Sequence, residues 1–359
     1  NTHTRSSAAS DVYKRQVIEQ YDKELSMPIS KFFSLIVIFL FNLFFHSSLS
    51  FATTIKDTIP NNILMYHRFG ETKYPSTNIT VGQLENHLQY LKEEQFEFIF
   101  VKDLIVPENL TFKTISITVD DAYLSFYEVG LPIFEKYNIP VTLFLNTENV
   151  GGNNYMSWSQ LQDALSRGVD IQNHTHSHSS LPKLSEAEIT LEIENSQKLI
   201  LNNLKITPHL FAYPFGEASA AVQKIVMRYF DAAFGQHSGA FSIDQKYFIP
   251  RFPLNENYGS IERVRDVSRT LPFSKITFEP SDPYLATPSK RFVVSSAEGV
   301  EGIKCYVNDF QGSFEQNITT LENKLLIELN RLPVSGRLRF NCTKVDKGVY
   351  WFGYQYLIN

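Results

Sequence analysis

From about residue 62 to residue 235, short apolar runs alternate with amphipathic stretches. Runs that can be buried on both faces read as strands of a parallel sheet, and i, i+3, i+4 spacing reads as helix. This predicts strands at 62–69, 96–101, 115–121, 141–145, 169–172, 209–213 and 232–235, with helices at 83–95, 124–137, 159–167, 185–204 and 217–230. Ser185 and Glu188 have the spacing of a capping box at one helix start. Strand–helix alternation over this length predicts α/β architecture with a barrel, regular or distorted.

After about Arg269 the pattern changes. Pro272, Pro280, Pro283 and Pro288 punctuate a linker-like stretch, and short alternating runs follow at 291–294, 303–307, 325–329, 337–340 and 349–357. These predict a small all-β, sandwich-like domain over 271–359 behind an α/β domain over 55–270.

The N-terminus is of another kind. Residues 1–26 are polar and aperiodic and read as an extraneous or upstream segment, with Met27 as the natural start. Lys31, an apolar run from Phe32 to Phe45 and small residues up to Ala52 make 27–52 a secretory signal peptide. An uncleaved anchor is the alternative; with cleavage, no stable membrane span is expected. The chain is then exported, periplasmic or at the cell envelope. Cys305 and Cys342 are the only cysteines, and export would let them pair; two free, buried thiols are the other reading. The net charge is −5 without a basic block, so no nucleic-acid partner is expected.

The candidate chemistry lies at two predicted strand ends. Asp120 and Asp121 close the run 115–119, and neighbouring residues of a strand face opposite ways unless the chain turns there. His174, His176 and His178 follow the strand at 169–172 and should share its rim. Imidazoles with a carboxylate are the ligand set of a catalytic divalent metal, Zn²⁺ first among them. Three histidines on a continued strand would share a face, whereas a turn after Asn173 favours the pair His174 and His178. One aspartate can then be a ligand and its neighbour a base toward an attacking water.

Thr118-Val119-Asp120-Asp121-Ala122 resembles the Thr-Phe-Asp-Asp-Gly motif of the polysaccharide deacetylases (NodB homology, carbohydrate esterase family 4). His174-Thr175-His176-Ser177-His178 is similar to their His-Ser/Thr-x-x-His motif, and Tyr213-Pro214-Phe215-Gly216 to their Arg-Pro-Pro-Tyr-Gly. The resemblance spans about Ile63 to Leu254. It implies a distorted (β/α) barrel, with Asp120 as catalytic base and Asp121, His174 and His178 as metal ligands. The Phe215 N–H would then help hold an oxyanion, while Tyr213 and Pro214 shape the groove. The implied reaction is removal of acetyl groups from N-acetylated sugars of a polysaccharide.

Three departures stand out. Ala122 replaces the usual glycine, a mild change if φ there is negative. Ala212 stands where an arginine that orients the base is usual, and Arg251 could supply that charge from another strand. The usual acid histidine has no match; His67 and His237 are the candidates. The aromatics at 350–354 suit either glycan binding or a core. Two alternative readings remain: a metal-dependent esterase or amidase on another acyl substrate, and a non-catalytic glycan-binding protein on the same scaffold.

Overall fold

The apolar run at 114–120 is the centre of a parallel sheet in the computed structural model, which describes residues 59–106 and 112–359. The segment 1–26 and the signal-peptide reading of 27–52 lie outside the described residues. Among the described residues no helix is long and apolar enough to cross a membrane.

The sheet contains β1 (Asn61–Tyr66), β2 (Glu97–Phe98), β3 (Thr114–Asp120), β4 (Val141–Leu145), β5 (Asp170–Asn173), β6 (Leu210–Ala212), β7 (Ala232–Phe234) and β8 (Phe252–Pro253). Its order is β8-β1-β3-β4-β5-β6-β7, with β2 beside the start of β3, and every pairing is parallel. β1, β3 and β4 are buried along their whole length because both faces are covered, which is why they read as continuous runs rather than alternation.

The segment 249–253 links the two edges of this sheet. Ile249 bridges to Phe234 of β7, and Phe252 and Pro253 pair with Leu64 and Met65 of β1. The result is a distorted barrel, and Arg251 sits in the middle of the closing segment.

Helices α1 (Val81–Glu93), α2 (Leu131–Lys136), α3 (Trp158–Ser166), α4 (Glu186–Leu204), α5 (Ala220–Val226) and α6 (Ile261–Ser268) flank the sheet. The Ser185–Glu188 box opens α4 with both reciprocal bonds made, and Thr80–Gln83 and Ser157–Gln160 open α1 and α3 in the same way. The continuous helix expected at 124–137 is instead a π turn at Phe126–Gly130 running into α2. The strand expected at 96–101 stops at Phe98, and Val101–Leu104 is a single helical turn.

Beyond Leu271 the chain forms two sheets that face each other. One has four antiparallel strands, β9 (Ile276–Glu279), β11 (Arg291–Ser296), β14 (Gln316–Leu321) and β15 (Lys324–Leu329), in the order β9-β11-β15-β14. The other has β10 (Tyr284–Leu285), β12 (Lys304–Asp309), β13 (Gly312–Ser313), β16 (Gly336–Val345) and β17 (Val349–Ile358), in the order β10-β17-β16-β12-β13. Phe292, Ile327, Phe340 and Tyr356 interdigitate between them as one core. Cys305 and Cys342 face each other across β12 and β16 and are joined by a disulfide.

This β region lies directly against the barrel. Ala240 N–H donates to Trp351 O, and Trp351 N–H donates to Leu271 O, both at 3.0 Å. A Cβ on Gly353 would overlap the Ser238 carbonyl, so only glycine allows this approach.

Candidate metal centre and active site

β3 ends in two aspartates that point to different partners. Asp120 is still in the strand and fully buried; Asp121 has φ 76° and Ala122 φ 56°, so the chain turns in the left-handed region. That turn separates the two carboxylates. It also corrects the expectation that a negative φ makes Ala122 a mild replacement for glycine: the position does favour glycine.

The histidine motif folds as a tight turn rather than a continued strand. β5 stops at Asn173, whose Oδ1 accepts from Thr175 N–H at 2.8 Å, and Thr175 has φ 69°. Thr175 Oγ1 accepts from His178 N–H at 3.0 Å, and Glu192 of α4 accepts from the N–H groups of His176 and Ser177 at 3.0 and 2.8 Å. This turn brings His174 and His178 together, with ring centroids 4.8 Å apart, and sends His176 away to Thr147 Oγ1 at 2.9 Å.

Asp121 Oδ1 lies 3.5 Å from His174 Nε2 and 3.3 Å from His178 Nε2. Asn146 Nδ2 donates to the same oxygen at 3.1 Å. One ligand atom from each of Asp121, His174 and His178 lies within 4.8 Å of the others, a spacing that can hold a metal ion. His174 Nδ1 meets the Ala212 carbonyl at 2.7 Å and must carry the proton there, because a carbonyl only accepts. His174 Nε2 is then turned to Asp121, buried and without a hydrogen bond. Such an orphaned nitrogen beside a carboxylate fits a cation.

Burial lowers the His174 imidazole, but Asp121 and Asp120 outweigh it and raise the group, so without a metal these carboxylates draw positive charge to this position. Burial raises the carboxyl of Asp121, but the imidazoles of His174, His67 and His178 outweigh it and hold the group well below the usual range. Burial together with the charge of His174 pushes the His178 imidazole down to about 4. His178 therefore offers a neutral nitrogen, the form that ligates.

Asp120 is held apart from this cluster. Arg251 donates to both its oxygens, Nη1 to Oδ1 at 2.7 Å and Nη2 to Oδ2 at 2.8 Å. Burial raises Asp120, but the Arg251 charge beside it, with the nearby imidazoles, outweighs this and lowers the group, so the carboxylate stays ionised. Arg251 is itself fully buried, and its Nε donates to Gly235 O at 2.8 Å. Gln236 Nε2 and His67 Nε2 lie 3.5 and 3.9 Å from Asp120 Oδ2.

The two acid candidates differ in their surroundings. His67 is partly exposed and faces Asp120. His237 is buried against Phe248 and Tyr354 with neither ring nitrogen hydrogen-bonded. Burial, helped by the charges of Arg339 and Arg251, pushes it down to about 3, so near neutral pH it is a neutral imidazole and not an imidazolium acid.

In the third motif, Phe215 has φ 60° and its ring packs edge-on to His178 with centroids 4.5 Å apart. Gly216 has φ 65°, and a Cβ there would strike the Gln236 backbone. Tyr213 and Pro214 are buried, and the Tyr213 hydroxyl donates to Tyr247 O at 2.9 Å. The Tyr213 side chain therefore anchors the loop from inside. Sequence reasoning missed Gln355 of β17, whose Nε2 donates to Phe215 O and Gly216 O at 3.2 and 2.9 Å. It also missed Asn146, Glu192 and Gln236. No local pattern marks these residues, because only the tertiary fold brings them to the site.

Residues 108–229 match the family described as polysaccharide deacetylase. The poly-β-1,6-N-acetyl-D-glucosamine N-deacetylase of Staphylococcus aureus (strain N315) is 25% identical over 240 residues, covering 58% of this chain and 79% of the relative. Among solved structures, the Streptococcus pyogenes deacetylase PplD in complex with acetate aligns with a TM-score of 0.55 at 22% identity, covering 59% of this chain and 99% of that one. IcaB from Ammonifex degensii aligns with a TM-score of 0.51 at 21% identity, covering 59% and 98%. These two alignments show a shared fold. Over its matched segment and in these relatives, the chain is similar to the polysaccharide deacetylase family.

Proposed function

We propose that this protein is an exported, metal-dependent hydrolase that removes acetyl groups from N-acetylated sugars of a polysaccharide. What supports the reading is one arrangement: a cluster of Asp121, His174 and His178 beside a second carboxylate, Asp120, that is ionised and anchored separately by Arg251. A divalent cation held by the cluster, Zn²⁺ in the first instance, would supply Lewis-acid charge to an acetamide carbonyl and to a water.

The chain's own residues divide the remaining work. Asp120 takes the proton of the attacking water, and the Arg251 fork keeps its carboxylate aimed. His67, partly exposed beside Asp120, returns a proton to the departing amine. The backbone N–H of Phe215 stabilises the oxyanion. Asn146 orients Asp121, and the Ala212 carbonyl orients His174. The disulfide in the β region suits an oxidising compartment and so an exported chain.

The test is acetate release from N-acetylglucosamine oligomers with metal present and with metal chelated. Release from acetylated xylan but not from N-acetylated oligomers would move the assignment to an ester substrate.

A further inference from the structure

A cavity of about 490 Å³ opens where the β region meets the barrel rim. His67 and Gln236, both close to Asp120, lie in its wall, so the cavity adjoins the candidate site. Three arginines also line it, Arg263 from α6 and Arg337 and Arg339 from β16. Among the described residues no carboxylate lines it, although the whole chain is net negative at −5.

Among the described residues none of the three arginines makes an ion pair. Their partners are neutral: Arg263 Nη2 reaches Ser238 Oγ at 3.5 Å, Arg337 Nη1 reaches Phe215 O at 3.4 Å, and Arg339 Nε donates to Gln355 Oε1 at 3.0 Å. Arg263 Nε is buried with no partner. Asp266 and Glu217 act on Arg263 and Arg339 from a distance, and neither lines the cavity. Burial lowers both arginines, Arg339 to about 10. Cations gathered and desolvated without counter-charges are costly to the fold, and an entering anion offsets that cost. Tyr258 and Trp351 stand in the same wall near the Arg263 guanidinium, at 5.5 and 5.9 Å, and offer ring faces to a sugar.

We propose that this cavity is an anion-selective glycan subsite, in which Arg263, Arg337 and Arg339 bind an acidic substituent of the polysaccharide on a sugar neighbouring the one deacetylated. The inference rests on the deacetylase reading and narrows its substrate class from N-acetylated glycans to acidic ones. A carboxylate and a phosphate are both suited to guanidinium forks.

The test titrates the full chain with three oligosaccharides of equal length, following tryptophan fluorescence and acetate release separately. One is neutral N-acetylglucosamine oligomer, one alternates N-acetylglucosamine with a uronic acid, and one is N-acetylglucosamine oligomer bearing phosphate. We expect at least one acidic probe to bind about tenfold tighter than the neutral one, with the preference shrinking as salt rises. Whichever acidic probe binds tighter identifies the anion. Arg263→Gln, and independently Arg337→Gln, should reduce the acidic-to-neutral affinity ratio toward one. Equal affinities for all three probes, with acetate still released, overturn the subsite and leave the reaction standing. Acidic preference without acetate release from any probe keeps the subsite and removes the deacetylase reading.

Discussion

Arg251 and Asp120 stand 131 residues apart in the chain and are joined in the barrel interior by two parallel N–H···O bonds of 2.7 and 2.8 Å. Arg251 is carried there by the segment that links the first and last strands, so barrel closure and orientation of the carboxylate are one structural event. Arg251→Lys keeps the charge and loses the fork. It should lower kcat by about 10²-fold, the scale of a general base that is no longer aimed, with little change in KM. Unchanged kcat in the lysine variant would show that Arg251 only neutralises buried charge.

Ala122 allows the strain at the turn to be measured. Its left-handed φ costs about 1–2 kcal/mol, which glycine relieves. Against this, glycine loses a buried methyl worth about 0.8 kcal/mol and gains chain freedom when unfolded, about 0.4–1 kcal/mol. Ala122→Gly should therefore unfold within about 0.5 kcal/mol of the parent. Ala122→Val, β-branched and buried, should cost about 3 kcal/mol or more. Chemical denaturation of both variants checks the pair, and a harmless valine would show that the turn has room to reshape.

Gln355 ties the β region to the loop that carries Phe215. It is 1% exposed, donates to two carbonyls of that loop and accepts from Arg339. Gln355→Leu should destabilise by about 1–3 kcal/mol through the carbonyls left unpaired. It should also weaken metal affinity, because Phe215 packs on His178. Gln355→Glu keeps an acceptor for Arg339 but turns oxygen toward oxygen, so it should be no better than leucine. Metal titration by calorimetry separates a loosened site from a merely less stable fold.

Asp309 governs acid stability in the β region. Arg331 donates to both its oxygens at 2.6 Å, and the N–H groups of Gln311 and Val334 add 2.9 and 3.1 Å bonds. The Arg331 hydrogen bonds foremost hold its pKa below the usual carboxylate value. A depressed folded pKa contributes stability that is complete above the unfolded value near ~3.9 and is lost as pH falls through the folded value. Asp309→Asn should thus cost about 1 kcal/mol at pH 7, allowing for solvent screening. The parent and the variant should converge once the pH has fallen below the depressed folded pKa. Melting temperatures from pH 7 to pH 2.5 check this; a constant gap would mean that the loss is packing rather than charge.

Much of the barrel was legible because β3 and β4 are covered on both faces and read as uninterrupted apolar runs. The run at 141–145 coincides with β4 as formed. That the strand near Arg251 closes the barrel was not legible, since Phe252–Pro253 has only two residues and two residues show no period. β14 was missed because almost all its side chains are exposed, which removes the alternation that marks a half-buried strand. The Asp121, His174 and His178 cluster could be anticipated because its residues lie at or just beyond the ends of recognisable strands. Gln355 and Asn146 could not, since their positions depend on the folded chain and not on any spacing within it.

The most direct test of the central claim is acetate release from N-acetylglucosamine oligomers by zinc-loaded, chelated and Asp120→Asn protein, each with its metal content measured. Release should require the metal and fall by at least about 10²-fold in Asp120→Asn while stoichiometric metal is retained. Release that survives chelation, or that is undiminished in Asp120→Asn, would contradict the claim.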